Sequence, residues 1–591
     1  MGNFTWIDGG IVGLYLLITI SAGIMVRRYV GRVEHFLVAG REMNLYLGIA
    51  SLAATEFGIV TCMYVAQNGY DKGFAGATPG ITFAIAMLVV GLTGFCIKPL
   101  RNAGVITIPE LFEKRFGSSV RWMAGVVIVL GGLLNMGVFL RLGGDFLVQC
   151  CGIDQLNLHA GPWVQAHMLE VTMTILLVGV AVYTILGGML SVLVTDYLQF
   201  IVMSTGLLLV TGLVLRNLGW EKLADTVRQH YGAGGFNPFA NPTMGWKYVT
   251  FNALLNTAAV LTWQTTIARV LAAKDTHTGQ KVYTGTSFFF VCRFLLPGIW
   301  GIAALATINV SSLPVNAATG LPRTELAMPM FLATFVPTGL MGLVVAAMLA
   351  ADMSTDSSYM LTWGSVIYND IMAPFRRGKP WSERKGLFWN RTIIALIGVF
   401  LLFFGLWYQP KTDMWTYLGV TGTIYLASMS TLLVACCYWK RANNWGAGAA
   451  IVVGALVPLA NLVVGVLHAN KIISFEFDSY YAGIAAYLFA ALAMVVGSLL
   501  KPKSRGGGVQ IDVVTLDTAE EQRSRSPLRV LIPGVVALLS TVWALLSGTT
   551  WWVLTIACVG WYSTITAYVA IKGAKDIKGM LAHLAKDSDR Q

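Results

Sequence analysis

Apolar runs of about 20 residues, separated by short polar stretches, recur along nearly the whole chain. Twenty helical residues span about 30 Å, the thickness of a bilayer's hydrocarbon core. In that solvent the backbone must satisfy its own hydrogen bonds, so each run is expected to be a helix. The pattern predicts an all-α polytopic membrane protein with about 15 spans. The first covers 7–26, the second 45–70, and the ninth contains 350–358. A polar, Gly/Ser-rich stretch containing Asp517, Glu520 and Glu521 reads as a linker. Two further spans, at 530–546 and 551–570, follow it.

Composition agrees with this picture. Hydrophobic residues are 56% and charged residues 12%, against about a quarter charged in a soluble globule. Mean hydropathy is +0.67. The net charge of +12 does not argue for nucleic acid, because Lys and Arg sit in alternate short loops, as membrane topology requires. Arg27, Arg28 and Arg32 follow the first span, and Lys98, Arg101, Lys114, Arg115 and Arg121 follow the third. The external loop between them, around 67–74, has one Lys, and the external stretch 149–167 has no Lys or Arg. This places the N-terminus outside and the C-terminus in the cytoplasm. The 216–247 loop, long and mixed in charge, fits the alternation least well. The basic tail after Lys572 is read as a solvated segment or one that rests on anionic lipid. The eight cysteines show no metal-ligand spacing and read as small hydrophobes. No cleavable signal peptide is expected.

Polar groups at membrane depth carry the candidate chemistry. The second span holds Ala53, Ala54, Thr55, Glu56, Phe57 and Gly58 near its middle. A carboxylate there is costly, so Glu56 marks either a functional site or a capped helix break. The ninth span holds Ala351, Asp352, Ser354, Thr355, Asp356, Ser357 and Ser358. Positions 354, 357 and 358 share one helix face. Hydroxyl, carbonyl and carboxylate oxygens suit a hard cation such as sodium, where thiolates or imidazoles would suit transition metals. Close helix packing also favours Ser and Ala, but it leaves Asp352 and Asp356 without a reason. In the sixth span Asp196 reads as a cation ligand or an interfacial residue. In the fourth, Arg141 and Asp145 pair at i, i+4, or Arg141 faces a cavity and clamps a solute carboxylate.

Three motifs together resemble the sodium/solute symporter family, over roughly residues 8–500. They are Thr107, Pro109, Glu110 and Phe112 with Arg115-Phe116-Gly117; Gly187-Gly188 with Thr195-Asp196 and Gln199; and Glu325, Ala327 and Pro329 with Pro337, Gly339, Gly342 and 350–358. The resemblance implies a transporter fold of two inverted five-helix repeats with additional helices. It divides the chain into an N-terminal accessory span and loop (1–43), a first repeat (44–215), an external loop (216–244) and a second repeat (245–440). Additional spans (441–502), the linker (503–529), two accessory spans (530–572) and the tail (573–591) follow. It implies a sodium site from Ala54, Phe57, Ala351, Ser354 and Thr355, and a second from Asp196, Ser354, Ser357 and Ser358. It also implies a solute pocket drawn from Glu56, Thr61, Arg141, Trp263, Gln264 and Tyr425. Trp263 stands where sugar-carrying members have a smaller polar residue, which counts against a sugar. The Arg141 position is similar to an arginine that holds a carboxylate in sialic acid carriers, and Arg269 to a structural family arginine.

The expected function is sodium-coupled import of a small carboxylate-bearing solute: an organic acid, a sialic acid-like compound or an amino acid. The expected partners are sodium (one or two ions), the solute and the lipid of a cell membrane. A channel would show a pore motif or charged ring, and none is present. The seven His form no pairing expected of a membrane enzyme. A proton-coupled carrier of the same fold, and a transporter-like sensor, are the alternatives.

Overall fold

In a bilayer, burial is inverted relative to a soluble core: apolar side chains can face outward, and polar ones need internal partners. A computed structural model of the chain describes residues 4–153, 162–316, 320–372, 381–408, 413–501 and 546–589. Every extended element in it is a helix. Leu396, Phe403, Leu456 and Leu488 are exposed, as lipid-facing residues are, while Ser354, Asp196 and Arg269 are fully buried.

Eleven helical stretches among the described residues are long and apolar enough to cross a membrane, and some of them hold more than one crossing. Met168–Asn217 has 50 residues, about 75 Å at 1.5 Å per residue, more than twice the hydrocarbon thickness. It turns at Gly188, where φ is 55° and ψ is −146°. Glycine alone adopts this geometry without strain, and a Cβ there would lie 2.4 Å from the Phe36 carbonyl oxygen. The fifth and sixth spans are the two arms. The expected span at 530–546 and the 503–529 linker lie outside the described residues.

Two spans are broken. The second consists of Leu45–Glu56 and Ile59–Lys72, joined through Phe57 and Gly58. The seventh consists of Gly245–Thr262 and Gln264–Ala272, interrupted at Trp263 (φ −64°, ψ 112°). Each broken span opens a set of five crossings. Five is odd, so the second set runs through the membrane opposite to the first, as inverted repeats require.

Close backbone approach holds the broken second span in place. A Cβ at Gly69 would lie 2.1 Å from the Gly298 carbonyl oxygen, and one at Gly301 1.8 Å from that of Ala66. The eighth span therefore lies directly on the C-terminal half of the second, in the small-residue mode of membrane helices. The N-terminal half begins without a side-chain cap of its own. The terminal helix Gly548–Asp589 supplies one: Asp576 Oδ2 accepts from the amides of Tyr46 and Leu47, at 3.0 and 3.3 Å. The first span, Trp6–Val26, does the same for the ninth, Leu340–Val366. Asp8 Oδ1 accepts from the amides of Gly339 and Gly342, at 3.0 and 2.6 Å. Accessory helices at both ends of the chain thus cap the two spans that carry the ion-site candidates.

The i, i+4 pairing of Arg141 with Asp145 is not formed. Asp145 instead accepts from Arg323 at 2.7 Å, in the loop before the ninth span. Arg141 donates to the carbonyls of Gly405 and Leu406, at 3.1 and 3.3 Å. The last turn of the tenth span leaves these carbonyls unpaired, and a guanidinium satisfies them. All eight cysteines are buried and free.

Candidate ion and solute site

The break at Phe57 and Gly58 sits against the polar stretch of the ninth span because Gly58 has no side chain. A Cβ there would lie 2.7 Å from Thr355 Oγ1. Ser354 Oγ donates to the carbonyl oxygens of Ala54 and Ala351, at 2.8 and 3.0 Å. Thr355 Oγ1 donates to the Thr55 carbonyl at 3.0 Å. Four of the five residues expected for the first sodium site therefore lie at one junction between two spans. Phe57 completes the turn, its amide 3.3 Å from the Ala54 carbonyl and its ring against Phe289. The donor set is entirely oxygen, and a hydroxyl that now donates can present lone pairs to a cation instead.

The residues expected for a second sodium site are arranged differently. Asp196 Oδ2 accepts from Ser51 Oγ at 2.5 Å and from Arg269 Nη2 at 3.0 Å. The same Arg269 nitrogen donates to Thr55 Oγ1 and Ser358 Oγ, each at 2.5 Å. Ser357 Oγ turns back to the Ser354 carbonyl at 3.2 Å, and Ser354 belongs to the first junction. A guanidinium thus occupies the space between Asp196 and Ser358. Arg269 lies in the last turn of Gln264–Ala272. It is fully buried and ties the second, sixth, seventh and ninth spans together through charge-assisted hydrogen bonds.

Beside the break lies a cavity with about 680 Å³ of empty space. Glu56, Thr61 and Trp263 line it, as expected. Gln264 and Tyr425 do not: both are buried, and the Tyr425 ring stacks behind Trp263 at 5.7 Å. Arg141 is also off the wall, held by the tenth-span carbonyls. The arginine on the wall is Arg293, from the eighth span. Its Nη1 donates to Glu56 Oε2 at 3.2 Å, and its Nη2 to Tyr64 and Thr61 at 3.0 and 3.3 Å. Glu56 Oε1 accepts from Thr266 at 2.8 Å. Tyr359 and Trp415 supply aromatic faces, and Asn135 and Asn256 polar edges. Arg293 interrupts an apolar run, Phe288 to Trp300, so the rule that singled out Glu56 applies to it equally.

Comparison with known proteins gives the family. The model of the sodium:solute symporter family matches residues 36–454. The chain is 24% identical to the sodium/mannose cotransporter of Bos taurus over 562 residues, covering 87% of this chain and 89% of the relative. It is 24% identical to sodium/glucose cotransporter 4 of Danio rerio over 488 residues, covering 77% and 72%. Among solved structures, a Na+-coupled sialic acid symporter in a substrate-bound, outward-open state superposes with a TM-score of 0.66. Its sequence identity is 19%, and the match covers 85% of this chain and 99% of the other. The broken spans, the oxygen-lined junction and the matched family model lead to one statement: this chain belongs to the sodium:solute symporter family.

Proposed function

We propose that this protein imports a small carboxylate-bearing solute together with sodium, by alternating access. One observation carries the choice of solute: the Arg293–Glu56 pair on the cavity wall, 3.2 Å apart. A guanidinium offers two parallel N–H groups to a carboxylate. An incoming carboxylate competes with Glu56 for Arg293, and Glu56, freed, can take an ammonium on the same solute. An amino acid satisfies both groups, and a simple acid satisfies the first.

The coupling ion is assigned to the junction of Ala54, Phe57, Ala351, Ser354 and Thr355. Sodium there draws the broken second span onto the ninth and so orders Glu56, which lies between the ligands Ala54 and Phe57, and Thr61, about one turn further along the chain. Coupling of this kind is reciprocal: the solute raises sodium affinity by the factor that sodium raises solute affinity. Each inward charge gains about 2.3 kcal/mol per 100 mV of potential. The N-terminus is placed outside and the tail in the cytoplasm. In support, the basic loops assigned to the inner face meet at one end: Arg41 donates to the Gly104 carbonyl at 2.8 Å and Arg101 to that of Ala273 at 2.6 Å.

Uptake by reconstituted protein tests the reading, with amino acids, organic acids and sugars offered under a sodium or a choline gradient. Sodium-dependent uptake of a carboxylate-bearing solute, lost in Arg293→Met and kept in Arg141→Met, is the expected result. Uptake confined to neutral sugars, for which the aromatic wall and Asn135 and Asn256 would serve, refutes the carboxylate assignment. Uptake indifferent to choline, or sodium dependence unchanged in both Ser354→Ala and Thr355→Ala, refutes the ion site.

A further inference from the structure

The ninth span has a second polar face. At 100° per residue, Asp352 and Asp356 lie within about 40° of each other and roughly opposite Ser354 and Ser358. They point away from both the junction with the second span and the solute cavity. Each is only 2% exposed.

The other buried carboxylates of the described spans are satisfied, Asp8 by backbone amides and four by a cation. Glu56, Asp145, Asp196 and Asp370 each hold an arginine within 3.2 Å. Asp352 and Asp356 have no ion pair among the described residues. Instead they face a shell of neutral oxygen groups. Tyr15 of the first span neighbours Asp352, and Tyr183 of the fifth neighbours Asp356. Gln199 of the sixth, fully buried, lies beside both tyrosine hydroxyls. Thr19 of the first, 1% exposed, lies beside Tyr15. Asp352 Oδ2, Asp356 Oδ1, both polar atoms of Gln199 and Thr19 Oγ1 are buried without a hydrogen-bond partner. Tyr183 fixes one edge by donating to the Met353 carbonyl at 2.9 Å. Gly143 leaves room at another: a Cβ there would lie 3.0 Å from Asp352 Oδ1.

An unpartnered buried polar atom is costly, and two like charges in a low dielectric repel strongly. Two unpartnered carboxylate oxygens without a counter-charge, with Gln199 Oε1 and Thr19 Oγ1 as further unpartnered oxygens beside the tyrosine hydroxyls, describe a site that wants a cation. We infer that Asp352 and Asp356, with Gln199, Thr19 and the two tyrosines, bind an alkali cation at the interface of the first, fifth, sixth and ninth spans, apart from the coupling-ion junction. The donor set is all oxygen, without thiolate or imidazole, which selects a hard ion. The accessory first span then contributes ligands as well as a helix cap.

Equilibrium binding of radioactive sodium to the purified full-length protein tests this. The double variant Asp352→Asn with Asp356→Asn is expected to bind about one sodium ion fewer per chain than the unaltered protein. The variant with Ser354→Ala and Thr355→Ala loses a different ion, so combining all four removes both. This also separates failure of one site from failure of the other. Thr19→Val and Gln199→Leu leave the ninth span untouched, and each raises half-saturating sodium for that ion about tenfold. Those two carry the test if the double variant does not fold. Full sodium binding by the double variant, or isotherms unchanged in both single variants, overturns the inference. Unchanged sodium binding with proton movement lost overturns it in favour of a proton site.

Discussion

Arg293→Met removes the only guanidinium on the cavity wall among the described residues and leaves the Glu56 carboxylate 4% exposed with hydroxyl partners alone. Those are Thr266 at 2.8 Å and Thr265 at 3.4 Å. Removing one member of a buried ion pair costs about 3–5 kcal/mol, because the remaining charge stays desolvated. Two surviving hydroxyl contacts put this case toward the lower end of that range. Glu56→Gln is gentler: the amide oxygen still accepts from Arg293, and the guanidinium keeps Tyr64 at 3.0 Å and Thr61 at 3.3 Å. Its cost is about 1–3 kcal/mol. The double variant has no stranded charge, so the two losses do not add, and a coupling of about 1–3 kcal/mol is expected. The eight buried free cysteines provide the assay, since a thiol-reactive dye reports their exposure as the detergent-solubilised protein is heated. The expected order of unfolding temperature is unaltered protein, Glu56→Gln, double variant, Arg293→Met. A double variant that unfolds below Arg293→Met would falsify the claim that the two charges stabilise each other.

Two further outcomes follow from the geometry. Gly58→Ala places a Cβ 2.7 Å from Thr355 Oγ1 and forces the second and ninth spans apart, an overpacking of about 1–3 kcal/mol; sodium-induced thermal stabilisation should fall in this variant, and an undiminished sodium response would show that the junction tolerates separation. Asp275, which caps the helix Thr276–Thr286 through the Thr278 amide at 2.7 Å, is pushed upward by partial burial, but that amide and the Thr278 hydroxyl outweigh burial and hold the carboxyl below the usual carboxylate range. Its contribution is therefore present above the ordinary carboxylate pKa and lost as pH falls through the lowered one; Asp275→Ala should cost about 1 kcal/mol at neutral pH and progressively less in acid, measured by thermal unfolding across pH, and a deficit that grew in acid would contradict the cap.

The accessory helices change how the core is understood. Inverted repeats supply two broken spans, but each half-helix leaves amides unpaired at its start. Asp8 and Asp576 satisfy such amides from outside the repeats, at the ninth and second spans. The two spans joined by Ser354 and Ala54 are thus held at opposite ends by segments more than 560 residues apart in sequence, Asp8 and Asp576. Movement between repeats has to carry or release these caps.

What the sequence determined alone is what depends on local composition. The approximate limits of the described spans follow from apolar run length, because bilayer thickness is a fixed ruler. The break in the second span and the polar stretch of the ninth are visible because Glu56, Ser354 and Thr355 interrupt apolar runs where a polar group needs a reason. The pairing of charges was not legible. Arg141 and Asp145 share a helix face, yet each finds a better partner on another element: the carbonyls of Gly405 and Leu406 for one, Arg323 for the other. Asp196 looked like an ion ligand until Arg269, 73 residues away, came to rest on it. Arg293 interrupts an apolar run, but only the packing of the eighth span on the second directs it at Glu56. A helix face is set by a few neighbouring residues, whereas the partner of a buried charge is set by which spans touch, and in this chain that is decided by glycines such as Gly58, Gly69 and Gly301, whose missing side chains let backbones meet.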